Sequence, residues 1–205
     1  MDSLLYNGRN GKPFYMSVVK AFLFDLDGTI VDTHRANFLA YEKSIKNITN
    51  TTVDDSLSDL IRAGESSTSF LPKVIPGISD DKMREINSEK QRIYPEHLHE
   101  SVLNEFLSTF LSQMFRHYTT VLVTTAKKNN ALSVLRHHKL EGYFTHMIFG
   151  DDVENMKPSP DAYLRALEIT GLQKNEVLAF EDSEKGIEAA NAAGINVIHV
   201  RTFES

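Results

Sequence analysis

The residues best suited to chemistry are carboxylates, hydroxyls and one lysine at four separated points of the chain. They are Asp25 and Asp27 in FDLDGT, Thr124 and Thr125 in VLVTTA, Lys157 in NMKPSP, and Glu181 and Asp182 in FEDSE. Paired carboxylates in an apolar setting repel each other and lose hydration, so they need a compensating cation or a use. Oxygen donors alone accompany them, and the chain has no cysteine. A hard ion such as Mg²⁺ suits a donor set of that kind. Its candidate ligands are Asp25, Asp27, Glu181 and Asp182 with a backbone carbonyl, leaving positions for water and a phosphate oxygen. An ion placed there neutralises a phosphoryl group while a carboxylate attacks it. Thr124, Thr125 and nearby loop amides suit the other phosphate oxygens, and Lys157 balances charge.

Taken singly, each piece has an ordinary explanation. Asp-x-Asp-Gly makes a turn, Thr124 caps a helix, Lys157 is solvated, and Glu181-Asp182 caps the helix that follows. What joins them is the elements that carry them. Residues 18–24 read as a buried strand that ends at Asp25. Strands are expected at 119–124, 145–150, 177–182 and 196–200, alternating with helices at 131–138, 160–170 and 184–193. Gly142, Gly171 and Gly194 each follow a helical run, where a left-handed cap is expected. The alternation implies an α/β fold with a Rossmann-like parallel sheet and helices on both faces. In such sheets the site lies beyond the carboxyl ends of the strands, where every one of these residues falls.

Between residues 34 and 100 the pattern changes. Phe38, Leu39, Tyr41 and Ile45 have helical spacing, and 47–69 is polar with few apolar residues. Ser79 caps a charged, exposed helix. From Ser101 the residues Val102, Leu103, Phe106, Leu107, Phe110, Leu111, Met114 and Phe115 read as one apolar face. The expected division is a core at 17–33 and 101–205, a helical cap at 34–100, and an N-terminal extension at 1–16 ahead of a second methionine, Met16.

A length of 205 residues allows one sizeable core with a modest insertion, and the net charge of -6 with no basic block argues against nucleic acid as the main partner. No apolar stretch approaches membrane-spanning length, and the first residues lack the order of a signal peptide. A cytoplasmic location is expected, with the sequons at Asn47 and Asn50 unused and no membrane partner.

The stretches FDLDGTIVDT, VLVTTA, KPSPDAYLRAL and FEDSEKGIEAANAAG resemble the haloacid dehalogenase superfamily, in its capped subclass of phosphoglycolate phosphatase and β-phosphoglucomutase relatives. The resemblance implies that Asp25 is the nucleophile and forms an aspartyl-phosphate. Asp27 is then the acid/base, Thr124 the phosphate-binding hydroxyl, Lys157 the charge-balancing lysine, and Asp182 a magnesium ligand with Glu181 beside it. Dehalogenation is not implied, since the dehalogenases lack the second aspartate and the metal.

In the mutases of this subclass a histidine follows the nucleophile loop and a cap arginine grips a second phosphate. Asn37 stands at the first position here, with His34 three residues earlier, and Ser66-Ser67 occupy the second. The expected function is therefore a Mg²⁺-dependent phosphatase of a small phosphorylated metabolite. A sugar-phosphate mutase is the nearest alternative, and a non-catalytic phospho-acceptor or binding protein the next. Lys127 is a candidate for a distal phosphate, and Arg62, Lys73 and Arg92 are candidates for an anionic substrate. The pairs His97/His99 and His137/His138 read as surface residues.

Overall fold

A computed structural model describes residues 18–201 and 203; the extension expected at 1–16 lies outside the described residues. The chain opens with strands β1 (Ala21–Phe24) and β2 (Val31–Asp32), then helices α1 (His34–Thr49), α2 (Ser56–Arg62), α3 (Ser67–Val74) and α4 (Asp80–Ile93). Strand β3 (Val102–Leu103) and helix α5 (Glu105–Met114) follow. The rest alternates: β4 (Thr119–Val123), α6 (Lys128–His137), β5 (His146–Ile148), α7 (Asp161–Thr170), β6 (Val177–Glu181), α8 (Glu184–Ala192) and β7 (Asn196–His199).

Five strands form one parallel sheet in the order β5-β4-β1-β6-β7, with helices on both faces. The period of two along β1 explains the layers. Phe22 and Phe24 join Leu122 and Phe180 on one face, packed with Leu107 and Leu111 of α5 and Val134 and Leu135 of α6. Ala21 and Leu23 join Val121, Val123 and Ala179 on the other, packed with the small residues of α7 and α8. Burial on both faces is why β1 reads as an unbroken apolar run. The fold class expected from the sequence, a Rossmann-like sheet with a small helical cap, is the one observed.

Helices α1 to α4 lie between β2 and β3, which pair antiparallel where the chain leaves and rejoins the sheet unit. They enclose a core of their own, with Phe38, Ile45, Leu57, Phe70, Leu71 and Ile86 buried together. The chain between α4 and β3 forms a 3-10 turn, Tyr94–Glu100, whose Tyr94 and Leu98 pack into the sheet-side core instead. Asn104 holds the return crossing: its backbone N–H donates to Ile30 O at 2.8 Å and its side chain to Thr29 O at 3.1 Å.

Several local expectations need correction. Residues 18–20 lie outside β1, and Val18 is 71% exposed. The polar stretch 47–69 holds α2 and the start of α3, anchored by the buried Leu57. Ser79 does cap α4, accepting from Lys82 N, but that helix is not wholly exposed: it buries Ile86, Lys90 and Ile93. The apolar face from residue 102 is broken, because Val102 lies on a two-residue strand and Phe106 points outward at 77% exposure. Gly171 and Gly194 take positive φ as expected, whereas Gly142 lies in a 3-10 turn and Lys139 adopts the left-handed conformation after α6. His138 is half-buried and meets the Ser101 hydroxyl at 2.8 Å.

Phe24 stacks on Phe180 with ring centres 5.0 Å apart and is fully buried, at the residue just before Asp25. Phe24→Ala is expected to cost about 3–5 kcal/mol and to lower the melting temperature by roughly 10 °C. Thermal denaturation followed by circular dichroism checks this.

Candidate active site

Asp25, Val123 and Glu181 stand at the carboxyl ends of the three central strands, and Lys157 reaches all three. Its ammonium donates to Asp25 Oδ1 at 2.7 Å, to Val123 O at 2.8 Å and to Glu181 Oε1 at 2.5 Å. An ammonium has three protons, so each is used. The Lys157 side chain is only 4% exposed and Glu181 is fully buried. Burial disfavours the Lys157 charge, but the two carboxylates outweigh it and hold the amine above the ordinary lysine range. Glu181 is pushed up by burial and by Asp25, against the pull of Lys157 and of the Tyr163 hydroxyl.

Asp182 follows on the same strand end. Its Oδ1 accepts from the Thr29 hydroxyl at 2.9 Å, and its carboxyl is pushed up to about 6 by burial and by Asp25. Gly28 permits this approach: its φ is +88°, and a Cβ there would stand 2.1 Å from Asp182 Oδ2. Ligand atoms of Asp25, Glu181 and Asp182 lie within 4.8 Å of one another. Carboxylates so close, with Asp182 held well above its usual range, fit a hard divalent cation. Glu181 is the least available of the three. Its Oε1 accepts from both Lys157 and Tyr163, and its Oε2 lies against Gly186.

The Asp27 carboxylate lies outside this acidic group. Its Oδ1 accepts from the Thr33 hydroxyl, and Asn37 donates to the same Thr33 oxygen at 3.1 Å. Burial raises the Asp27 carboxyl to about 6; the Thr33 bond opposes this, Asp25 adds to it, and Lys90 and Lys157 draw it down. A carboxyl in that range carries a proton near neutral pH far more readily than an ordinary aspartate.

Lys90 is the cap residue that the sequence reading did not single out. It is 5% exposed, and its ammonium lies 3.8 Å from the Tyr94 ring centre and 5.3 Å from that of Tyr41. Burial pulls its pKa down to about 8, partly offset by Asp27. The cations that were singled out in the cap are all exposed. Lys73 pairs with Glu65, Arg92 with Glu89, and Arg62 stands beside His34, whose other ring nitrogen meets Ser58 O.

Thr124 is 2% exposed; its Oγ1 accepts from Ala126 N at 3.0 Å, which leaves its own proton to donate. Thr125 and Lys127 are exposed on the segment that leads from β4 into α6. Ser66 precedes and Ser67 begins α3, and the Ser67 hydroxyl faces the phenol of the partly buried Tyr41.

A parallel sheet with a buried lysine between two strand-end carboxylates, under a helical cap, defines a class of hydrolase. Residues 22–200 match the haloacid dehalogenase-like hydrolase family, and the chain belongs to it. A phosphorylated carbohydrates phosphatase of Thermotoga maritima is 32% identical over 187 residues, covering 88% of this chain and 84% of that protein. A phosphoglycolate phosphatase of Aquifex aeolicus is 28% identical over 183 residues, covering 86% and 82%. The crystal structure of CbbY from Rhodobacter sphaeroides in complex with phosphate shares the fold, with a TM-score of 0.78 at 21% identity over 92% of this chain and 90% of that one. No helix among the described residues is long and apolar enough to cross a membrane.

The raised carboxyls carry a sign that stability measurements read. Asp27 and Asp182 rise from 3.8 to about 6, so between those values the folded chain binds more protons than the unfolded one. Their contribution is fully present below about pH 4 and lost as pH rises through about 6. In EDTA, the melting temperature is expected to climb by several degrees between pH 7 and pH 5. Mg²⁺ added at pH 7 is expected to restore most of that gain, as read by differential scanning fluorimetry.

Proposed function

We propose that this hydrolase is a Mg²⁺-dependent phosphatase of small phosphorylated carbohydrates, working through an aspartyl-phosphate on Asp25. The observation that carries the reading is the single ammonium of Lys157, bonded to Asp25 and Glu181 with Asp182 alongside. A relative named as a phosphatase of phosphorylated carbohydrates supports the substrate class, and one named as a phosphoglycolate phosphatase supports the reaction. Residues 34–100 then act as a cap that excludes water and selects the leaving group. A cytoplasmic location goes with the cysteine-free composition.

Asp25 and Asp182 would hold the ion, with Glu181 behind them. Mg²⁺ when bound supplies positive charge to the phosphoryl oxygens. The chain's own residues do the rest. A carboxylate oxygen of Asp25 attacks phosphorus, and the bond to the leaving oxygen breaks. Asp27 gives that oxygen its proton; it then takes a proton from water as the water oxygen attacks phosphorus and frees Asp25. Thr124 donates to a phosphoryl oxygen, and Lys157 offsets charge on the nucleophile and the transferring group. Lys90, facing Asp27 from the cap, contacts the substrate from the leaving-group side.

The mutase alternative finds no footing at its two marker positions. Asn37 spends its amide on Thr33, and Ser67 offers no charge for a second phosphate. A pure phospho-acceptor has no use for a carboxyl held like Asp27.

Phosphate release from sugar and polyol monophosphates, with Mg²⁺ and with EDTA, tests the reading. Turnover is expected with the metal only, and Asp25→Asn is expected to lower kcat by about a thousandfold or more. Turnover unaffected by EDTA, or by the substitution, contradicts it.

A further inference from the structure

Tyr163 is fully buried on the first turn of α7, and its hydroxyl donates to Glu181 Oε1, the same oxygen that accepts from Lys157. Its ring also lies beneath the lysine, with Lys157 Nζ 5.4 Å from the ring centre. The other carboxylate oxygen, Glu181 Oε2, has no hydrogen-bond partner and is walled in by Gly186. Two donors therefore converge on one oxygen of a side chain that has no other hydrogen bond.

We infer that the Tyr163 hydroxyl is a positioning group, which fixes Glu181 so that Lys157 stays aimed at Asp25. A buried ammonium between two carboxylates moves toward whichever is the poorer in other donors. With Tyr163 donating, Glu181 has a second partner and a fixed rotamer, and Lys157 keeps its 2.7 Å contact with Asp25. Without that bond, Glu181 depends on Lys157 alone and draws the ammonium from the nucleophile. The aromatic ring gives the lysine a partner that tolerates this position, and the phenol oxygen sets its direction. Tyr163 acts through Glu181 and touches no reacting atom.

The kinetic part of the test rests on the phosphatase reading; the spectroscopic part does not. Tyr163→Phe keeps the ring and removes only the oxygen. It is expected to lower kcat about tenfold with KM and melting temperature nearly unchanged, because the lost contact orients a group that matters in the transition state. In a Glu181→Gln background the same change is expected to add nothing further.

On metal-free protein, ¹⁵N-lysine NMR reads the Lys157 ammonium directly, assigned by its loss in Lys157→Arg. The signal is expected to shift in Tyr163→Phe and its protons to exchange several-fold faster. An unchanged ammonium signal overturns the inference, as does a kcat loss that is matched by a fall in melting temperature or is fully additive with Glu181→Gln. If the wild-type chain turned over no phosphate ester, the phosphatase reading would fail while the NMR comparison still decided the role of Tyr163.

Discussion

One ammonium holds the site together. Lys157 sends its three protons to the ends of β1, β4 and β6, through Asp25, the Val123 carbonyl and Glu181. Those are the three central strands of the sheet, so the lysine ties together the strand ends where the chemistry is proposed. A buried ion pair is weak support for stability in itself, since desolvation offsets much of the attraction. Its removal is another matter. Without the lysine, two buried carboxylates and a carbonyl face one another with nothing between them.

Around that ammonium the chain separates two carboxylates that lie only two residues apart. Asp25 receives Lys157 and belongs to the acidic group with Glu181 and Asp182. Asp27 turns away to Thr33, in a setting whose burial lifts its carboxyl to about 6. Two aspartates in different surroundings suit two different tasks, attack and proton transfer. The turn between them depends on Gly28, whose missing side chain leaves room for Asp182. The cap completes the arrangement from the other side, with Tyr94 packed into the sheet-side core and Lys90 stacked on its ring.

Asp25, Lys157, Glu181 and Asp182 were legible in the sequence because alternating strands and helices force strand ends onto one edge. Their convergence therefore follows from topology and needs no knowledge of side-chain detail. Lys90 was not legible because it sits in a run of charges that reads as solvated. A signal was present all the same: Ile86, Lys90 and Ile93 are spaced at i, i+4 and i+7, the buried face of α4. Tyr163 was not legible either, since its place in α7 gives no sign that its hydroxyl meets Glu181. Lys139 taking the left-handed position expected of Gly142 shows the limit of residue type as a guide, because chain geometry after α6 outweighs preference there. Phe106 pointing outward has the same lesson for apolar periodicity, which marks a face without saying how far it is covered.

The central claim is that Asp25 carries the phosphoryl group between two half-reactions. It is tested most directly by mixing the enzyme with Mg²⁺ and a sugar monophosphate, quenching in acid within a turnover, and mapping the peptides by mass spectrometry. A phosphoryl adduct is predicted on the peptide containing Asp25, absent in Asp25→Asn and accumulating in Asp27→Asn. Phosphate release with no adduct on that peptide at any quench time, in the wild type and in Asp27→Asn, would contradict it.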